Sequence, residues 1–153
     1  MPFAQSAVRF CLALVASALT TLVLSIAFYT QRVIAAQQAI GANYTIPQQA
    51  QTYWDNFVGL GFTGAPPFGA VIVVALIIGF AVAFVVKRIL TPLAAVAYPV
   101  AGASAVVLVI YLVDNVLLGG GTGAIGGARD SLGLGLQGVA GLFGGIVFAV
   151  LRP

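Results

Sequence analysis

The sequence has 153 residues, of which 61% are hydrophobic and only 6% are charged. A soluble domain carries about 25% charged residues, because its surface must hold water. Six basic and three acidic residues cannot cover a water-facing surface of this size, so the composition excludes a soluble globular domain. The net charge of +3 does not indicate nucleic-acid binding either, because the basic residues are scattered along the chain and form no dense cluster.

The missing residue types exclude several kinds of site. Histidine and glutamate are absent, and the one cysteine is Cys11. Haem and metal sites usually rely on His or on clustered Cys, so we expect no metal and no cofactor. The serines and the cysteine lack the basic partner that activates a nucleophile, and we therefore expect no enzymatic activity.

Four apolar runs are long enough to cross a bilayer, which takes about 20 predominantly apolar residues. They predict an all-α membrane protein with four transmembrane helices in a single domain. The predicted spans are residues 10–28, 68–86, 93–118 and 132–151. The first run is longer than the apolar core of a signal peptide, so we expect it to be retained as a helix.

A polar segment at residues 29–67 follows the first span. Residues 32–40 are good helix formers with no breaker before Gly41, so the first helix is expected to continue past the bilayer or to turn along its surface. A second, short helix is predicted at residues 48–57.

Three aromatic side chains fall within one turn of that short helix. They are Tyr53, Trp54 and Phe57. Aromatic residues are enriched at headgroup depth, because one part of the ring system is apolar and another can meet water. We therefore predict an interfacial aromatic face.

The second span ends at Lys87 and Arg88, and a tight link leads into the third. Thr91 followed by Pro92 is typical of an N-cap and the first residue of a helix, so the third helix is predicted to begin there. Pro99 is predicted to kink this helix early.

A strongly polar pair, Asp114 and Asn115, lies near the outer end of the third span. A carboxylate at this depth is costly unless it is paired, protonated or reached by water. Arg129 is a candidate partner, and Tyr111 lies three residues before Asp114 on the same face. We interpret Asp114 as an interfacial carboxylate, and a proton or coupling-ion site is the alternative.

Residues 119–131 form a glycine-rich segment, within which residues 121–126 match the pattern G-x-G-x-x-G. That pattern indicates a dinucleotide site only between a strand and a helix. A membrane helix precedes it here, so we interpret it as a loop.

Glycines recur along the fourth span at helical spacing. They are Gly135, Gly138, Gly141 and Gly145. Small residues on one face let two membrane helices approach closely. We predict that this face packs inside the bundle, and a docking face for another protein is the alternative.

The distribution of Lys and Arg predicts the orientation. One side of the membrane would hold Arg9, Lys87, Arg88 and Arg152, and the other Arg32 and Arg129 together with Asp55 and Asp130. Both termini are therefore predicted on the cytoplasmic side. The bias towards Ala, Val, Gly and Leu with a single Lys is typical of GC-rich bacterial genomes and favours a bacterial inner membrane.

Three functions remain open on this sequence. The first is a non-catalytic accessory subunit or assembly factor of a larger inner-membrane complex, whether respiratory, photosynthetic or secretory. The second is a small homo-oligomeric transporter or channel that uses Asp114. The third is a lipid- or quinone-binding membrane protein. The expected partners are membrane lipid and other membrane subunits or further copies of this chain.

Overall fold

Residues 2–64, 67–117 and 130–152 are described by a computed structural model of the chain, and these residues form helices and no β-strand. The α-helices in these ranges are α1 (Pro2–Ala39), α2 (Ile46–Val58), α3 (Phe68–Ile89), α4 (Ala97–Leu112) and α5 (Ser131–Leu151). Four of these helices are long and apolar enough to cross a membrane: α1, α3, α4 together with the turn that follows it, and α5. The prediction of an all-α chain with four such helices is confirmed.

Helix α1 continues as one helix far past the predicted end of the first span. Its 38 residues extend roughly 57 Å, against about 30 Å of hydrocarbon. It ends in a C-terminal cap with a glycine. The Ala42 N–H donates a hydrogen bond to the Gln37 carbonyl, and the Gly41 N–H donates one to the Gln38 carbonyl, both over 3.0 Å. Gly41 has a φ of 96°, a conformation that glycine adopts without strain.

Helix α2 begins at a polar cap and lies against α1. The backbone N–H of Thr45 donates to Gln48 Oε1 over 2.9 Å, which fixes the first turn. On the side facing α1, the Tyr53 hydroxyl donates to Gln31 Oε1 at 2.6 Å and Asn56 Nδ2 donates to Thr30 Oγ1 at 3.1 Å. A π-helical turn, Gly59–Thr63, then leads the chain towards α3.

The third membrane helix begins later than predicted. Thr91 and Pro92 start a single 3-10 turn, Thr91–Leu93, and α4 begins only at Ala97. A helix running from residue 93 through Pro99 would lose the bond to the carbonyl of Ala95 and clash with it. In the structure Pro99 lies in the first turn of α4, where its missing N–H costs no bond within the α-helix, and the predicted kink stays a prediction.

The four long helices pack in the order α1, α5, α4, α3, and α3 touches α1 only lightly. Four aromatic rings, one from each helix, meet near one end of this arrangement. Phe80 stacks on Phe148 with centroids 4.2 Å apart, and Tyr98 and Phe10 contact Phe148 at 5.1 and 5.5 Å. Such ring pairs add about 0.5–1.5 kcal/mol each beyond the area they bury.

The two ends of the bundle differ in charge. The end beside this aromatic cluster is called the basic end, and its residues are Arg9, Lys87, Arg88 and Arg152. The opposite end, where α2 packs on α1 and Asp130 begins α5, is called the loop end.

Helices α4 and α5 cross backbone to backbone at three glycines. A Cβ atom built on Gly102 would overlap the carbonyl oxygen of Gly141, and one built on Gly145 would overlap that of Tyr98. The absence of side chains therefore sets the distance between these helices, and close packing of this kind stabilises helix pairs in lipid.

Replacing Gly145 by Ala should lower the free energy of unfolding by about 1–3 kcal/mol, because the new methyl group forces the two backbones apart. Gly135→Ala on the same helix is the matched control. A Cβ there meets nothing within 4 Å, so its effect should stay below about 0.5 kcal/mol. SDS titration of the detergent-solubilised chain measures both free energies of unfolding. Equal losses of stability in the two variants would contradict the close approach of α4 and α5 at Gly145.

Candidate functional site

A line of hydroxyl side chains on α1 is buried against α5. Ser17, Thr21 and Ser25 follow one another at intervals of four residues and therefore share a helix face. Their exposed fractions are 0%, 0% and 1%. Gln137 of α5 is equally buried, at 1%. These four residues are called the polar seam.

Hydrogen bonds cross the polar seam at two levels. The Ser17 hydroxyl donates to the carbonyl of Gly144 over 2.7 Å. Eight residues further along α1, the Ser25 hydroxyl donates to Gln137 Oε1, and Gln137 Nε2 donates back to the Ser25 carbonyl over 3.2 Å. Interhelical bonds of this kind contribute about 0.6 kcal/mol on average in membranes, and at most about 1.7.

Gly144 makes room for the seam. A Cβ on this residue would overlap the Thr21 hydroxyl and lie 3.0 Å from the Ser17 carbonyl oxygen. The Thr21 hydroxyl bonds within its own helix, to the Ser17 carbonyl at 2.9 Å. Among the described residues, no buried side-chain nitrogen or oxygen lacks a hydrogen-bond partner.

The line of polar contacts continues to the loop end. Thr30 is fully buried and accepts the bond from Asn56 of α2. Arg32 forms an ion pair with Asp130, which also caps α5 by accepting from the Gly133 N–H at 2.7 Å. Both ion-pair partners are partly exposed, so the pair contributes little stability beyond fixing the start of α5.

The chemistry of the polar seam is that of helix association. Ser17, Ser25 and Gln137 form hydrogen bonds between α1 and α5, and the Thr21 hydroxyl bonds within α1. In the part of the chain that the structure describes, no three side chains of the His, Cys, Asp or Glu types gather as metal ligands would.

The predicted polar site around Asp114 falls in a π-helical turn, Val113–Leu117, that follows α4. Asn115 Nδ2 donates to the backbone carbonyl of Tyr111 at 2.9 Å, and the Tyr111 side chain is 56% exposed. Arg129 and the G-x-G-x-x-G pattern at 121–126 lie outside the described residues. The role of Asp114 stays a prediction.

The four glycines predicted to form one packing face do not all contact the same part of the structure. Gly141 and Gly145 lie at the crossing with α4, a Cβ on Gly138 would meet Val107 at 3.2 Å, and Gly135 faces open space. Gly144, which sequence reasoning missed, faces α1 instead. Helix α5 thus has one glycine surface for each of its two neighbours.

The three aromatic side chains of α2 that were predicted to be interfacial differ in what they contact. Tyr53 bonds α1, Phe57 packs on the core beside Phe62 with centroids 5.5 Å apart, and Trp54 is 62% exposed.

An apolar groove of about 400 Å³ lies between α1 and α3, where these helices barely touch. Its walls include Val15 and Leu19 of α1 and Ala70 and Val73 of α3, and Phe62 closes it towards the loop end. Its size lies in the roughly 300–1,000 Å³ range of small-molecule sites.

Comparison with known proteins gives no family: no family model, no curated protein and no solved structure matches the chain.

Sequence reasoning missed the polar seam, although a signal was present. Ser17, Thr21 and Ser25 share a spacing of four in an otherwise apolar run, and Gln137 is the one amide of the fourth run. A polar stripe in a transmembrane helix turns towards protein, because lipid cannot satisfy it.

Replacing Gln137 by Leu should lower the free energy of unfolding by about 0.5–1.5 kcal/mol, since both bonds to Ser25 are lost while the volume is nearly kept. A double-mutant cycle with Ser25→Ala isolates the coupling between the two residues. Thr20→Val is the control, because the Thr20 hydroxyl bonds only Ala16 of its own helix. If the effects of the Gln137 and Ser25 substitutions on the free energy of unfolding were additive, the two residues would not be coupled, which would contradict their hydrogen bonding across the polar seam.

Proposed function

We propose that this chain is a non-catalytic subunit or assembly factor of a larger membrane complex, and that its partner binds beyond the bilayer at the tip of α1 and α2. The carrying observation is a pair of isoleucines at that tip. Ile40 is 85% exposed and Ile46 is 82% exposed, on either side of the turn at Gly41.

The height of this tip favours a protein over lipid as its cover. The apolar run of α1 ends at Phe28, and Ala39 lies roughly 16 Å further along the helix. Even a 40° tilt leaves about 12 Å, whereas the headgroup layer adds only about 5–8 Å on each side. Hydrocarbon therefore does not reach Ile40.

The surface around the tip has the composition of a protein interface. No charged residue occurs from residue 33 to residue 54, and the exposed side chains there are amides, small apolar groups, the two isoleucines and Trp54, with few others. A shallow concavity of about 460 Å³ lies beside the turn, lined by Tyr44, Gln48 and Gln51 among others. Interface cores are depleted of charge and enriched in aromatic residues.

Orientation and location are part of the same proposal. The basic end is assigned to the cytoplasm, because Lys and Arg are retained on that side during insertion. The tip would then lie on the outer face of a bacterial inner membrane. The observation that supports this is the charge difference between the ends, since Lys87, Arg88 and Arg152 share one end and Asp130 lies at the other.

The combined substitution of Ile40→Gln and Ile46→Gln should weaken partner binding at least about ten-fold, because the partner would no longer cover two exposed isoleucines. Mild detergent extraction of native membranes, followed by co-purification, measures the retained partner. Ile89→Gln is the control, since Ile89 is 74% exposed but lies at the basic end.

Two outcomes would contradict this proposal. One is a chain that purifies alone as a 15.6 kDa monomer, and the other is a double variant that keeps its partner in full. Association with copies of itself alone would support the homo-oligomeric transporter instead.

A second candidate function, binding of a quinone or another long apolar molecule, rests on the groove between α1 and α3. The groove is apolar, and Phe62 in its wall begins a row of aromatic rings: the Phe57 centroid lies 5.5 Å from that of Phe62, and the Trp54 centroid lies 6.2 Å from that of Phe57. Trp54 is the one tryptophan of the sequence and is connected to Phe62 of the groove wall through Phe57, so its fluorescence is the readout for a quinone bound in the groove.

A short-chain quinone should quench Trp54 saturably in the unaltered chain. Ala70→Phe fills the groove and should raise the half-quenching concentration at least about three-fold, whereas Ala81→Phe, on the same helix outside the groove, should leave it unchanged. Linear quenching without saturation would exclude this second function.

A further inference from the structure

Three cationic side chains converge on two aromatic rings at the basic end. Arg152 Nη1 donates to the Tyr98 hydroxyl at 2.6 Å, and its Cζ lies 4.2 Å from the centroid of the same ring. Lys87 Nζ lies 5.4 Å from that centroid and 5.2 Å from the Phe84 centroid, and Arg88 Cζ lies 4.5 Å from the latter. Lys87, Arg88 and Arg152 are called the cationic cluster.

The ring that gathers Lys87 and Arg152 is held rigidly. Tyr98 is only 3% exposed and packs against Phe80 and Phe148, with ring centroids 5.7 and 5.1 Å away. Arg152 therefore lies on a fixed surface and its hydrogen bond to Tyr98 orients it, so this cation has a defined position before any ligand binds.

None of the three acidic side chains of this sequence lies at the basic end. Asp130 pairs with Arg32, and Asp55 accepts from Gln51 on α2, both at the loop end. Asp114 lies roughly 24 Å along the helix axis from Tyr98. The C-terminal ends of α3 and α5 supply only about half a negative charge each, against three positive charges.

Apolar surface adjoins the cationic cluster on the membrane side. Phe84, Val85 and Leu151 are exposed by 44%, 54% and 51%. A ligand that satisfies the whole site therefore carries a negative headgroup next to hydrocarbon chains. A phospholipid has this form, and basic pockets between membrane helices bind anionic headgroups.

We propose that the cationic cluster binds the phosphate headgroup of an anionic phospholipid, with the lipid chains lying along the part of α3 next to the basic end. Arg152 supplies a fixed planar donor from the surface of Tyr98, and Lys87 and Arg88 supply two further positive charges from the last turn of α3. Guanidinium groups match the oxygens of a phosphate with paired hydrogen bonds.

The test is a titration of the full chain in neutral detergent, followed by native mass spectrometry. Phosphatidylglycerol, phosphatidylcholine and inorganic phosphate are the three probes. We expect one molecule of phosphatidylglycerol to bind, phosphatidylcholine to bind far more weakly, and millimolar inorganic phosphate not to displace the lipid. Lys87→Gln with Arg152→Gln should weaken phosphatidylglycerol binding at least about ten-fold.

Arg9→Gln is the matched control, because Arg9 is an exposed cation at the same end but outside the cationic cluster. It should leave the affinity unchanged, whereas Tyr98→Phe, which keeps all charges and frees Arg152, should lower it. If the double variant does not fold, either single variant serves, with an expected loss of about five-fold.

Three outcomes would overturn the proposal. The first is an equal loss with Arg9→Gln, which would indicate general attraction to a basic surface. The second is equal binding of phosphatidylcholine. The third is displacement of the lipid by inorganic phosphate, which would assign the site to the free anion.

Discussion

The backbone of α5 directly approaches those of two other helices, and the rest of the bundle depends on these contacts. Gly144 faces α1, whereas Gly141 and Gly145 face α4. Lipid is as apolar as the helices themselves, so burial alone does not hold them together and close packing has to do so. The Ser17 hydroxyl reaches the carbonyl of Gly144 because no side chain separates them.

The four helices are joined by different means at different levels. Towards the loop end the polar seam supplies directed bonds, and towards the basic end four aromatic rings supply packing area. The contact between α1 and α3 has neither hydrogen bonds nor stacked rings among the residues described, and the apolar groove lies there. The groove therefore lies where the hydrogen bonds and the aromatic packing that join the other helices are missing.

The helices could be predicted from the sequence, because length and hydropathy decide whether a segment crosses a membrane. Their mutual arrangement could be predicted only in part: the stripe of Ser17, Thr21 and Ser25 marks the protein-facing side of α1, whereas α3 is apolar all round and shows no polar face from which its orientation can be inferred. Ser25 and Gln137 acquire a meaning only as a pair, and they are 112 positions apart. The start of α4 could not be predicted either, because Thr91 followed by Pro92 suits the start of a 3-10 turn as well as the start of an α-helix. Nor did the sequence reveal the ring of Tyr98 that two cations share.

The unbroken course of α1 has a mechanical consequence. The segment against which α2 packs and the segment that forms one wall of the groove belong to the same unbroken helix, so the direction of one fixes the direction of the other. The hydrogen bonds of Ser17 and Ser25 to α5 hold α1 at the level of this wall. Because α5 holds this stretch of α1, a change in the width of the groove has to come from α3, which touches α1 only lightly.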